Sequence, residues 1–170
     1  MAYVKYFIGI ISGNVDAIQD FVLQIPFPFN QIQKQSNTLD FNFTNYYKDE
    51  LGSPLYKKFF LIADIYPEYE LSNLKSICCQ IEKKTSLGNK RIVNIDPGYI
   101  NDGSVVLAST KYAPHRIYIG LSIYAEITLY WYKKGYESLP WTYPDFRTDC
   151  YKQFFLDSRK IFLYEKRHNF

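Results

Sequence analysis

Lys111, His115 and Arg116 place three cations or hydrogen-bond donors within six positions, and two carboxylates, Asp96 and Glu126, stand on either side of them in sequence. An arginine offers a planar fork that matches phosphate or carboxylate, and a lysine supplies a compact point charge. His115 is one of two histidines, the other being His168 near the C-terminus. Imidazole titrates closest to neutrality, so His115, with Asp96 and Glu126, forms the candidate catalytic set for proton transfer. Asn94 lies two residues before Asp96, and on a regular strand the two side chains share a face. Tyr124 and Thr128 bracket Glu126 at the same spacing and would hold its carboxylate between hydroxyls. Asn94, Lys111, Arg116, Tyr124 and Thr128 make up the candidate ligand-binding set. Asp96 and Glu126 are also the oxygens a metal would use. Such donors suit Mg²⁺ better than Zn²⁺, although nothing in the spacing requires a metal.

Each of these residues has a plainer reading. Asp96-Pro97-Gly98 is favoured turn sequence, with the Asp side chain bonding backbone amides. His115 follows Pro114 and could simply be hydrogen-bonded there, while Arg116 could pair with Glu126 across a hairpin. Asp145, in Trp141-Thr142-Tyr143-Pro144-Asp145, suits the first turn of a helix. Asp40, Asp49 and Glu50 bracket a polar stretch rich in Asn and Tyr that reads as a solvated loop or as a lid.

The elements that must position these groups follow from hydrophobic periodicity. Val4 to Ile11 reads as a buried strand ended by Ser12-Gly13. Asn14 caps a helix with Val15, Ile18, Phe21, Val22 and Ile25 on one face, closed by Pro26 and Pro28. Ile32 to Phe43 reads as a strand leading into a loop over 44–54, and Lys57 to Tyr66 as a central strand. Pro67 opens a helix with Leu71, Leu74, Ile77, Cys78 and Ile81 at helical spacing, ended by Gly88-Asn89. Arg91 to Ile95 makes a further strand. The order β-α-β-β-α-β predicts an α+β fold with a ferredoxin-like core. Beyond it, His115 to Ile119 and Ile123 to Tyr132 flank the connection Gly120-Leu121-Ser122 and predict an antiparallel hairpin extension. Lys133-Lys134-Gly135 turns the chain into Tyr136 to Leu139. Strict alternation would put Ile123, Ala125, Ile127, Leu129 and Trp131 on the core face, with Tyr124, Glu126, Thr128, Tyr130 and Tyr132 opposite. A closing helix carries Phe146, Cys150, Phe154, Phe155, Ile161 and Phe162.

At 170 residues the chain reads as one globular domain, 1–170, with no repeat or linker. Twenty basic against 17 acidic residues give +3, too little to argue for nucleic acid. The aromatic content, with 17 Tyr and 13 Phe, is the compositional outlier. Cys78, Cys79 and Cys150 are odd in number, and two are adjacent, which fits reduced thiols rather than a disulfide framework. Tyr6 to Ile11 is too short to span a membrane, and no cleavage site follows it, so a cytoplasmic location is expected.

The chain resembles a prokaryotic family known as domain of unknown function 4416. The resemblance rests on Asp40-Phe41-Asn42-Phe43-Thr44-Asn45-Tyr46-Tyr47 with Glu50 and Gly52, Asn94-Ile95-Asp96-Pro97-Gly98-Tyr99, and Leu107-Ala108-Ser109-Thr110-Lys111. It continues through His115-Arg116-Ile117-Tyr118, Tyr124-Ala125-Glu126 and Pro140-Trp141-Thr142-Tyr143-Pro144-Asp145. It implies no established activity. Some members carry a GTP-binding label, but this chain has no phosphate loop: Ser109-Thr110-Lys111 lacks the glycines that let amides wrap a phosphate. Three functional expectations stand side by side. The first is a small-molecule binding protein or enzyme acting on an anionic, phosphate- or carboxylate-bearing ligand such as a nucleotide. The second is a structural or oligomer-interface protein without a ligand, and the third an RNA binder stacking bases on Tyr124, Tyr130 and Tyr132.

Overall fold

The computed structural model describes residues 2–169; the side chains of Lys48, Asp49 and Asn169 lie outside the described part, and with them the acid that Asp49 adds to the polar stretch. The first strand, β1 (Tyr3–Ser12), is buried on both faces and forms the spine of one antiparallel sheet. On one side it pairs with β4 (Tyr56–Ile62), which in turn carries β2 (Ile32–Gln35) and β3 (Leu39–Asp40). On the other it pairs along its length with β6 (Val93–Ile100), while the short β5 (Tyr66–Pro67) meets its beginning. The sheet continues through β7 (Ser104–Ser109) to β9 (Ile123–Tyr132), which bonds both β8 (Ile117–Gly120) and β10 (Gly135–Ser138).

Two helices, α1 (Ile18–Leu23) and α3 (Glu70–Lys84), pack with Tyr6, Ile8, Ile10, Phe60, Val93 and Ile95 on one face. The one-turn α2 (Lys48–Leu51) lies between β3 and β4 in the chain. The long α4 (Asp149–Asn169) covers the other face, where Phe154 and Phe155 meet Phe7, Phe59, Leu61 and Leu129. Lys5, fully buried, reaches Glu165 on α4 at 2.7 Å and ties that helix to the central strand.

The ferredoxin-like core with a hairpin extension is therefore not what the chain builds. The described residues form one ten-stranded antiparallel sheet sandwiched between helices. Asp96-Pro97-Gly98 does not end a strand; it lies in the middle of β6, in register with Gly9, Ile8 and Phe7. Gly98 is required there by close approach, since a Cβ would sit 2.3 Å from the Val106 carbonyl oxygen and 2.4 Å from the Phe7 ring. This continuation lets β6 turn into β7 through Asn101, whose Oδ1 accepts from the Gly103 and Ser104 amides. The second half of the molecule is thereby joined to the first. The strand read over Ile32 to Phe43 is broken into β2 and β3, and that read over Lys57 to Tyr66 into β4 and β5.

The hairpin β8–β9 forms where expected, with Leu121 and Ser122 at φ 53° and 60°, the doubly left-handed geometry of a type I′ turn. Alternation along β9 is not regular. Ile127 faces Val106 and Leu129 faces Val105, so Thr128 is an extra, bulged residue. Beyond it the faces exchange. Leu129 joins the α4-side core with Trp131 packed against it, while Tyr130 and Tyr132 turn to the face opposite Tyr124.

Candidate functional site

The sheet has one conspicuous flaw. β7 pairs with β6 only over Gly98–Ile100 and then diverges, although β6 stays paired with β1 back to Val93. Residues of β6 whose amide and carbonyl point towards β7 alternate, and Ile95, Pro97 and Tyr99 share that parity. Pro97 has no N–H to donate, so the ladder stops beside it. At Ile95 the two orphaned backbone groups are taken by α3. Glu82 Oε1 accepts from the Ile95 amide at 2.6 Å, and Lys75 Nζ donates to the Ile95 carbonyl at 2.8 Å. A buried strand edge is thus satisfied by two charged side chains rather than by a neighbouring strand.

The gap is a cavity of about 460 Å³ whose walls come from both faces of the sheet. From the α3 side come Lys75, Cys79 and Glu82; from the α4 side come Lys57, Asp145 and Phe146. Arg91, Asn94 and Asp96 line the β6 edge, Ser109, Thr110 and Lys111 the β7 edge, and Phe41, Phe43, Tyr46, Tyr47 and Tyr143 add an aromatic rim.

Two ion pairs lie at the floor. Lys57 Nζ meets Asp145 Oδ2 at 2.6 Å, both almost wholly buried, with the ammonium within 4.7–5.4 Å of the ring centres of Phe146, Phe59, Tyr151 and Phe41. Asp145 also stands where the sequence puts it, in the first turn of a short 3-10 helix, Pro144–Arg147. Lys75 Nζ meets Asp96 Oδ1 at 2.8 Å and stands 4.0 Å from Glu82. Burial alone would push Asp96 up, but the Lys75 ammonium, helped by Lys57 and by Asn94 donating to Oδ2 at 2.5 Å, holds it below the usual carboxylate range. Burial would likewise lower Lys75, yet Asp96 and Glu82 raise it. Glu82 is pushed up by burial, only partly offset by Lys75. Arg91 bridges outward, bidentate to Glu50 at 2.7 Å and touching Glu82 and Asn94 at 3.1 Å each. These hydrogen bonds, Glu50 first, raise the guanidinium and lower Glu50.

The sequence candidates divide between the cavity and the wall behind it. Asn94, Asp96 and Lys111 line the cavity. Lys111 bonds the Tyr46 hydroxyl and lies 3.9 Å from that ring's centre, both residues being exposed at the rim. His115, Arg116 and Glu126 come together one layer out. Glu126, 3% exposed, accepts from Arg116 Nε at 2.7 Å and lies 3.1 Å from His115 Nε2, while Thr128 donates to its other oxygen at 3.3 Å. Arg116 spends its remaining donors on the wall, reaching Ser109 Oγ at 3.0 Å, the Lys111 carbonyl at 2.8 Å and the Tyr143 hydroxyl at 2.6 Å. It is a bracket that fixes three lining residues to one buried carboxylate. His115 stacks on Trp141 at 4.9 Å. Tyr124 sits apart, edge-on to Tyr112 and Tyr118.

Lys57, Lys75, Glu82 and Arg91 escape a reading of the sequence alone. A signal exists for two of them: Lys75 and Glu82 fall within the Leu71–Leu74–Cys78–Ile81 stripe, and a charge on a helix face that is otherwise core is out of place unless paired. No comparable cue marks Lys57 or Arg91. Asp96 and Glu126, the two carboxylates a metal would use, belong to separate networks, Asp96 with Lys75 and Glu126 with Arg116. No group of three or more His, Cys, Asp or Glu side chains with metal-binding geometry occurs among the described residues.

No helix among the described residues is long and apolar enough to cross a membrane. No curated protein and no solved structure matches the chain. One family model does, over residues 2–162, and by that match the chain belongs to the family described as domain of unknown function (DUF4416).

Proposed function

We propose that the protein binds a small organic anion, bearing phosphate or carboxylate, in the cavity between β6 and β7. One observation carries this reading. Four cations, Lys57, Lys75, Arg91 and Lys111, converge on a single aromatic-walled cavity, and Lys111 at its rim has no carboxylate within ion-pair distance among the described residues. The volume lies within the range of roughly 300–1,000 Å³ usual for small-molecule sites, and a mostly apolar wall with a few fixed polar groups is their usual composition. Arg116 and Glu126 serve this site by fixing Ser109, Lys111 and Tyr143. A cytoplasmic setting is part of the proposal, supported by three free cysteines, one of them, Cys78, on the buried face of α3.

The test is a thermal-shift panel of inorganic phosphate, pyrophosphate, nucleoside phosphates and aromatic carboxylates, with and without Mg²⁺. A ligand at about 100 times its Kd should add about 2.7 kcal/mol of stability. Lys111→Ala, an exposed change, should abolish the shift while leaving the unliganded melting temperature within about 1–2 °C. If no compound stabilises the protein, the reading falls to its rival, a structural network without a ligand. That rival is favoured by the fact that Lys57, Lys75, Glu82, Asp96 and Asp145 already satisfy one another or the backbone.

A further inference from the structure

We infer that Asp96 is the specificity-determining residue of this cavity, and that the ligand therefore carries a hydroxyl or amino donor in addition to its anion, both attached to a flat ring. The inference rests on the anion-binding reading and adds the other end of the ligand.

The acids of the cavity differ in what they leave free. The Glu82 and Asp145 side chains are 7% and 5% exposed, and each is committed, to the Ile95 amide and to Lys57. The Asp96 side chain is 24% exposed while lining the cavity, so it faces the open space. Its two oxygens take one donor each, from Lys75 and Asn94, and a carboxylate has about four acceptor sites. Lys75 keeps it ionised and Asn94 fixes its plane. What meets it from the ligand must donate: an acceptor or a second anion at that point would be repelled, and a hydrocarbon edge would cover its free acceptor sites without supplying a hydrogen bond. Lys111 and Tyr46, exposed at the rim, and Asp96 at the buried β6 edge put anion and donor at different depths. The walls of the same cavity include rings, Phe43, Tyr143 and Phe146 among them, which favour a planar body stacked or edge-on.

Matched pairs that differ only in the donor test this. The full chain is titrated calorimetrically with 4-aminophenyl phosphate and with phenyl phosphate, which lacks the amino group, and with 4-aminobenzoate and benzoate. The two pairs also separate a phosphate from a carboxylate as the anion. In at least one pair the amino compound should bind about 10- to 100-fold tighter, the worth of a hydrogen bond to a charged group. Asp96→Asn should bring that ratio to within about 3-fold, which a merely structural role for Asp96 would not do. Should that variant fail to fold, the wild-type ratios alone decide. Equal binding within both pairs overturns the role of Asp96 while anion binding stands. No binding by any of the four, with no effect of Lys111→Ala on any member of the wider panel, overturns both.

Discussion

Replacing Lys75 by Met removes a charge while keeping most of the volume, and its cost should depend on pH in a way no packing change would. In the wild type Lys75 neutralises Asp96 and Glu82 and satisfies the Ile95 carbonyl. Taking one partner from a buried ion pair costs about 3–5 kcal/mol, and a stranded carbonyl about 1–3 kcal/mol; the terms overlap, so about 4–5 kcal/mol is expected at pH 7.5. The sign with pH follows from the shifts. In the wild type Asp96 is depressed, so its contribution is present above the unfolded value of about 3.9 and is lost only as pH falls through the lower folded value. Without Lys75, burial is no longer overcome, the folded value of Asp96 moves above 3.9, and Glu82, already raised by burial, moves further up. The variant then loses stability as pH rises through that window, and the difference from wild type should shrink to about 1–2 kcal/mol near pH 5, where the acids can take protons. Urea unfolding followed by tryptophan fluorescence at pH 5.0 and 7.5 measures both. Adding Asp96→Asn should recover about 1–3 kcal/mol at pH 7.5 as a positive coupling. A cost that is the same at both pH values, or no coupling, would refute the charge argument and leave Lys75 as a packing residue.

Gly98→Ala should cost at least about 3 kcal/mol in denaturant melts, because the new Cβ would overlap the Val106 carbonyl and the Phe7 ring, and backbone cannot yield as a side-chain tip can. Arg116→Met should cost about 3–4 kcal/mol by stranding buried Glu126, and amide exchange should accelerate at Ser109–Lys111 and around Tyr143 before it does in β1; uniform acceleration would contradict the bracket role. The double change Leu121→Asn with Ser122→Gly should stabilise the chain by about 1 kcal/mol, read as a higher melting temperature, because both positions have positive φ and Asn-Gly suits a type I′ turn.

Local signals in the chain are strong where one residue type has one use. Val4 to Ile11 can only be a buried strand, and Leu71 to Ile81 repeats at helical spacing; both form. Gly120-Leu121-Ser122 announces a hairpin although the two central residues of its turn, Leu121 and Ser122, are not glycines. Asp96-Pro97-Gly98 misleads because the same residues serve two ends. Pro97 and Gly98 favour a turn locally, but in the sheet one ends a ladder and the other admits a close neighbour, and only the facing strand decides which. β7 itself, Ser104–Ser109, shows only the short apolar run Val105-Val106-Leu107-Ala108 after the turn residues Asn101-Asp102-Gly103. It is buried on nearly every residue, so it lacks the alternation that tells a half-exposed strand from a buried helical segment. The bulge at Thr128 cannot be seen in β9 alone, since it is a property of the pairing with β7. At the site, the pairing of Arg116 with Glu126 and the shared side of Asn94 and Asp96 are legible because both are short-range. The cations that complete the cavity come from β4, α3 and the α3–β6 connection, and no spacing in sequence brings those together.

The splayed strands raise a question of energetics that bears on function. A gap between β6 and β7 could have been filled with apolar side chains, and replacing buried ion pairs with well-packed hydrophobes is often neutral or stabilising. Lys57 with Asp145, and Lys75 with Asp96, are therefore weak explanations of why the protein is stable. They are better explanations of why the cavity stays polar. Each lysine is pinned, one among four aromatic rings and the other by a strand edge, so neither can swing out to water when the site is empty. Charges held in this way are oriented before any ligand arrives, and a ligand that meets them avoids the cost of ordering them. Arg116 extends the same rigidity to the opposite wall. What this arrangement maintains is a preorganised polar space opening past Lys111 and Tyr46, which a fold needing only a packed core would have no reason to keep.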